Sequence, residues 1–257
     1  MKKIWGVLVI LLAVVTLISC SNSAHKAYNS KTESENVSLK RKVKVNKKHW
    51  NKMTSAAVIE YLPGSTNFDD VFPSTWHDMK NENNYIIEGT IVNYEKMEHQ
   101  PLLVETKATI HVDKVLSGSK VLEHQYIVTT VPMGFAFSKD IKSSVEGSSD
   151  QKNTEVLYRQ TNFPLPKIGS QIITGIKSNK KKFDQNRSFK KEMAKYDLSG
   201  SDSYLITEPN YNFWIKNADG KFIINNLDIR NMKQDNPNYD KVYSLVELTK
   251  QLDSKTK

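Results

Sequence analysis

The sequence predicts a mainly β fold: a small antiparallel barrel with insertions, a short helix before the first core strand and a helix near the C-terminal end. Three observations carry this. Residues 85–94 and 104–116 are long stretches rich in β-branched and aromatic residues, and 126–131 is a shorter one. In the second stretch Ala108, Ile110 and Val112 alternate with Thr109, His111 and Asp113, the period of a sheet wet on one side. Gln100-Pro101 and Ser117-Gly118-Ser119 are turn signals that link the three into a meander.

Taken in order, residues 50–62 hold clustered apolar side chains without a clean period, either a short helix or a first strand ending at Leu62, and Pro63-Gly64 closes them as a turn. Thr75 and Asp78 approximate a capping box for a helix of one or two turns, with Trp76 and Met79 on one face. Gly89 sits where the first core strand must bend or carry a bulge, and such curvature starts a sheet toward closure. Pro132 and Gly134 stop the third strand. Residues 203–207 have strand character. Residues 211–215 and 222–224 flank Asn217-Ala-Asp-Gly220, a hairpin turn in which Gly220 is free to take positive φ. Ser244 and Glu247 form a capping box, and Val242, Leu245, Leu248, Thr249 and Leu252 give a terminal helix over 244–253 its inner face.

The N-terminal end sets the compartment. Lys2 and Lys3 precede the uncharged aliphatic run Ile4–Ile18, the length of a secretory core and short for a membrane span. Leu17-Ile18-Ser19-Cys20 resembles the lipobox of bacterial lipoproteins. The resemblance implies cleavage before Cys20, acylation of that residue and attachment to the extracytoplasmic face of the cell membrane. Cys20 is the only cysteine of the 257 residues, so no thiol is left for a disulfide or a metal. The expected organisation is a signal peptide over 1–19, a flexible basic tether over 20–48, and a barrel-like domain over 49–257 with insertions at 138–160 and 177–201. As a flexible coil the tether would reach roughly 30 Å.

In the core, Ile87-Glu-Gly-Thr-Ile-Val92, Ala108 to Gly118 and Gly169-Ser-Gln-Ile-Ile-Thr174 resemble uncharacterised surface lipoproteins of Gram-positive bacteria. Those carry a strand with a central glycine, a V-x-K-V-L-x-G strand and a later G-x-x-Y/I-I strand. The resemblance covers about ninety residues and implies a small OB-like barrel. Its motifs are turn glycines and core valines, so it implies no catalytic residue.

Charge narrows the partners. The chain carries +9 at neutral pH, which favours anionic surroundings, while export removes nucleic acid from reach. Within 177–201, Lys180, Lys181, Lys182, Arg187, Lys190 and Lys191 accompany Phe189, Met193 and Tyr196, spaced i, i+4, i+7. That spacing predicts a helix with one apolar stripe and a basic opposite face, a contact site for anionic lipids or wall polymers or a solvated helix docked on the barrel.

No P-loop, H-E-x-x-H, G-x-S-x-G or calcium-loop motif occurs, and the six histidines include no pair at i, i+4. His111 and Asp113, projecting from one sheet face, are the pair to inspect for catalysis. His77-Asp78 is helical punctuation. No cofactor or metal is expected. The expected function is a non-catalytic, membrane-anchored module for an envelope polymer, peptide or protein, with a surface hydrolase of wall or extracellular polymers as the alternative.

Overall fold

The computed structural model describes residues 35–62, 66–69, 72–98, 104–138 and 154–256. The leader, Cys20, the turns at Pro63-Gly64 and Gln100-Pro101, and most of the 138–160 insertion lie outside them. Two compact units are distinguished, Met1–Lys44 and Val45–Lys257. In the first, the described residues 35–44 are helical. The packing and sites described below belong to the second, which opens with helix α1 over 45–55.

The basic run Lys40–Lys48 is therefore helical where a coil was expected. Lysine, arginine and leucine are good helix formers, and no glycine or proline interrupts 35–55. In α1, Asn46, Trp50 and Met53 fall at i, i+4 and i+7. Trp50 is buried against Tyr94 and Phe135, with ring centroids 5.3 and 5.7 Å away. The Asn46 amide donates to Val92 O at 3.0 Å.

The expected barrel is not what forms. Among the described residues the fold is mixed α/β, with 34% helix and 33% strand, and its sheets stay open. The larger sheet is antiparallel. It orders β10 (Phe222–Ile224), β9 (Phe213–Lys216), β7 (Gln171–Ser178), β2 (Tyr85–Lys96), β3 (Glu105–Ser117) and β4 (Tyr126–Pro132), and the two-residue β8 (Tyr204–Leu205) pairs with β7 off this path. The smaller sheet orders β1 (Val58–Leu62), β6 (Glu155–Gln160) and β5 (Gly134–Phe137), with β1 parallel to β6.

Why the sheet does not close is visible at its corner. β2 and β3 do carry the expected irregularity: the register shifts at Glu88/Gly89, and a Cβ on Gly89 would stand 2.7 Å from His111 O. But after Pro132, Met133 takes φ +72° and the next strand leaves for the smaller sheet, so β4 never meets β10. A side chain at Gly134 would strike Thr106 Oγ1. The six residues of β6 also fall inside what reads as a polar insertion. Val156 and Tyr158 are buried there with Val104 and Ala136.

One face of the larger sheet is covered by α2 (Trp76–Glu82), α5 (Leu227–Arg230) and α6 (Tyr239–Lys255). There Met79, Ile173, Trp214 and Phe222 pack with Val242, Leu245, Leu248 and Leu252, all 2% exposed or less. The expected caps hold at α2, where Thr75 and Asp78 form a reciprocal box. α6 starts five residues before the expected Ser244, at a turn set by Asn236, whose side chain accepts from Asn238 N at 2.9 Å. Ser244 and Glu247 thus lie inside the helix. The β9–β10 hairpin forms as expected, with Asn217 Oδ1 accepting from Asp219 N and Lys221 N and Gly220 at φ +78°.

Candidate functional site

Between β7 and β8 the chain folds into two short helices rather than one, α3 (Lys180–Gln185) and α4 (Arg187–Ala194). Asn186 makes the break. Its side chain caps α4, accepting from Phe189 N at 2.9 Å. Phe183, 4% exposed, is the buried anchor of α3, and its ring lies 5.7 Å from Phe189. The stripe Phe189, Met193 and Tyr196 is half-buried, and Tyr196 Oη donates to Glu98 O at 2.7 Å.

Both helices carry exposed cations, shared between two helices where the spacing predicts one basic face. Lys180, Lys181, Lys182, Arg187, Lys190 and Lys191 are all exposed, and among the described residues none has a carboxylate within 4.0 Å. The Lys182 ammonium stands 3.8 Å from the Phe189 ring centroid, which holds it over the α3–α4 junction. Glu192, the acid of α4, is paired with Lys195 at 2.6 Å instead. No acid occupies the first turn of either helix. Cations there oppose the helix dipole, so the arrangement costs local stability and leaves a surface with an excess of positive charge.

The structure also assembles the histidine pair. His111 Nδ1 lies 2.6 Å from Asp113 Oδ1, and the other Asp113 oxygen accepts from Thr90 Oγ1 at 2.7 Å. Thr90 is the register partner of His111 across β2–β3, so the strands themselves hold this array. Tyr126, the partner of His111 on β4, packs edge-on at 5.2 Å. With Nδ1 engaged by a carboxylate, Nε2 is the nitrogen left for proton transfer or a ligand. Thr90 is the member that sequence reasoning misses. Its only signal is the alternation of β2, which the glycine bulge interrupts.

Glu88 stands two residues before Thr90 and is 8% exposed. Burial pushes its carboxyl above the usual range, the Asp113 charge adds to this, and Lys216 and Lys114 oppose it. The folded state then holds the proton more tightly than the unfolded chain, and stability falls as pH rises from the ordinary carboxylate range through the raised one. Glu88→Gln removes that loss. Urea melts at about pH 4 and about pH 8 are expected to show the variant gaining on the wild type at the higher pH, and an unchanged difference would contradict the reading.

His77 is exposed and Asp78 is occupied by its capping contacts to Ser74 and Thr75. Among the described residues no group of three or more His, Cys, Asp or Glu is disposed to hold a metal, and no helix is long and apolar enough to cross a membrane. No protein-family model matches the chain, and neither does any curated protein.

Proposed function

We propose that this chain is a lipoprotein anchored through Cys20 at the extracytoplasmic face of the cell membrane, and that its folded unit is a non-catalytic module binding an anionic envelope polymer. The anchor rests on the Leu17-Ile18-Ser19-Cys20 lipobox. The binding reading rests on the six exposed cations of α3 and α4, none of which has a carboxylate of the described residues within 4.0 Å, Glu105 acting on Lys182 only at longer range. Six solvent-exposed charge contacts at about 0.3 kcal/mol each amount to more than a tenfold effect on affinity.

The test has two arms. Cys20→Ser is expected to abolish fatty-acid labelling and release the protein from the membrane fraction, and equal labelling would overturn the anchor. Replacing the six cations by Gln is expected to weaken co-sedimentation of the detergent-purified chain with an anionic wall polymer by at least about tenfold in dilute salt. The wild-type advantage should vanish as the screening length shrinks from about 30 Å at 0.01 M to about 3 Å at 1 M. Equal sedimentation in dilute salt removes this reading. A surface hydrolase is the second reading, supported by the Asp113-oriented His111. Release of soluble fragments from the polymer, abolished by His111→Ala, would favour it.

A further inference from the structure

β1 (Val58–Leu62) is an edge strand. Its inner side pairs in parallel with β6 from Val58↔Val156 to Leu62↔Gln160, and among the described residues no strand pairs with its outer side. A parallel ladder leaves alternate N–H and C=O groups of an edge strand pointing outward, a template for another chain. Natural edges are ordinarily blunted by lysine, proline or a covering loop. This one presents Val58, Ile59 and Tyr61 at 56%, 39% and 62% exposure. They are the β-branched and aromatic types that favour strand pairing.

A cavity adjoins the strand. It encloses about 550 Å³ and reaches from Tyr61 to the α1 residues Trp50 and Thr54 and to the segment after β6, where Phe163 and Pro164 form its wall. Arg159, the register partner of Tyr61, and Lys167 also line it, and both are exposed. An apolar hole beside an open ladder, with two cations on its lining, fits one kind of occupant.

We propose that β1 and this cavity form a docking site for an extended peptide segment of a partner protein. The segment adds as a fourth strand to the β1-β6-β5 sheet, seats an apolar side chain in the cavity and sets an acidic residue against Arg159 and Lys167. Backbone hydrogen bonds supply affinity in this mode, and the pocket supplies specificity. A second copy of the chain fits less well. Antiparallel self-pairing centred on this five-residue strand sets Glu60 opposite Glu60, and like charges directly across a ladder repel. The site is separate from α3 and α4 and stands whether or not those helices bind polyanions.

The test uses the full chain in detergent and a fluorescent octapeptide of alternating valine, threonine and phenylalanine ending in two aspartates. A second probe has the same side chains with N-methyl groups on one edge of its backbone. Saturable binding of the first probe is expected, at least about tenfold weaker for the N-methylated probe and for Ile59→Lys/Tyr61→Lys. Both substitutions lie on exposed positions, and an unchanged melting transition checks that the variant is folded. A probe lacking the aspartates should lose its affinity advantage in dilute salt. Absence of saturable binding overturns the proposal. So does equal binding of both backbones, which means docking by side chains alone, and so does a wild-type dimer that Ile59→Lys dissociates, which makes the occupant a second copy.

Discussion

Trp214→Ala is expected to remove about 3–5 kcal/mol of stability, the range for deleting a fully buried large aromatic. Trp214 on β9 has no exposure, pairs with Ile173 on β7 and Ile224 on β10, and forms the floor on which Leu245, Leu248 and Leu252 of α6 rest. Its Nε1 donates to Thr249 Oγ1 at 2.8 Å, and that hydroxyl donates in turn to Leu245 O at 2.8 Å. The indole is thus both a packing body and a positional pin for the last helix. Typical domains are stable by only about 5–15 kcal/mol, so the loss would leave α6 poorly held. Denaturant titration followed by two probes, with hydrogen exchange across 239–255, checks both statements. Thr249→Val should cost less, about 1–3 kcal/mol, since the packing survives but both hydrogen bonds of the hydroxyl are lost and the buried Nε1–H is left without its acceptor.

Asn212→Ala should be the second most damaging substitution, at about 3 kcal/mol, although it deletes only a carboxamide. β7 pairs with β9 as far as Thr174↔Phe213 and with β8 only from Lys177↔Leu205. Asn212, 2% exposed, spans that gap. Its Oδ1 accepts from Gly175 N at 2.8 Å, and its Nδ2 donates to Gly175 O at 3.0 Å and Thr207 O at 3.2 Å. Without the amide, the buried Gly175 N–H loses its acceptor, at about 1–3 kcal/mol where water cannot reach, and the carbonyls of Gly175 and Thr207 each lose a donor, Gly175 O keeping only Thr174 Oγ1 at 3.3 Å. Gly175 also packs directly against the Asn83 side chain, which a Cβ at this position would strike. Asn217→Ala in the exposed hairpin turn serves as the contrast and should cost well under half as much, its orphaned groups being open to solvent. A melt of Asn212→Ala matching that control would show that the side chain is not acting as a strand substitute.

The strands of the large sheet were legible because β-branched and apolar residues mark them directly. Ala108, Ile110 and Val112 are all fully buried, as their alternation predicts. What could not be read was where the sheet goes after β4. Pro132 and Gly134 look like punctuation, and nothing local reveals that Met133 turns the chain into a different sheet whose next partner, β6, lies within a polar stretch. Parallel pairing of β1 with β6 is similarly invisible, since long-range register leaves no local period. The helix over 45–55 was missed because Asn46 interrupts its apolar stripe, and its role became plain only through the contact to Val92. At the sites, composition sufficed for the cations of α3 and α4. The His111–Asp113 contact was legible from a spacing of two along a strand, whereas Thr90 and Glu88 come from a neighbouring strand and needed the register.

The parallel pairing of β1 with β6 also fixes an order of assembly. Its partners lie about a hundred residues apart in the chain, and contacts of such long range form late because loop closure must precede them. The β2–β3, β3–β4 and β9–β10 hairpins form from neighbouring segments, while β2 meets β7 across a span similar to that of β1 and β6. A chain made from its N-terminus therefore presents Val58–Leu62 well before residues 155–160 exist to receive it. Through that interval the strand lacks its partner, and an unpaired apolar strand is the kind of segment that favours association between incomplete chains.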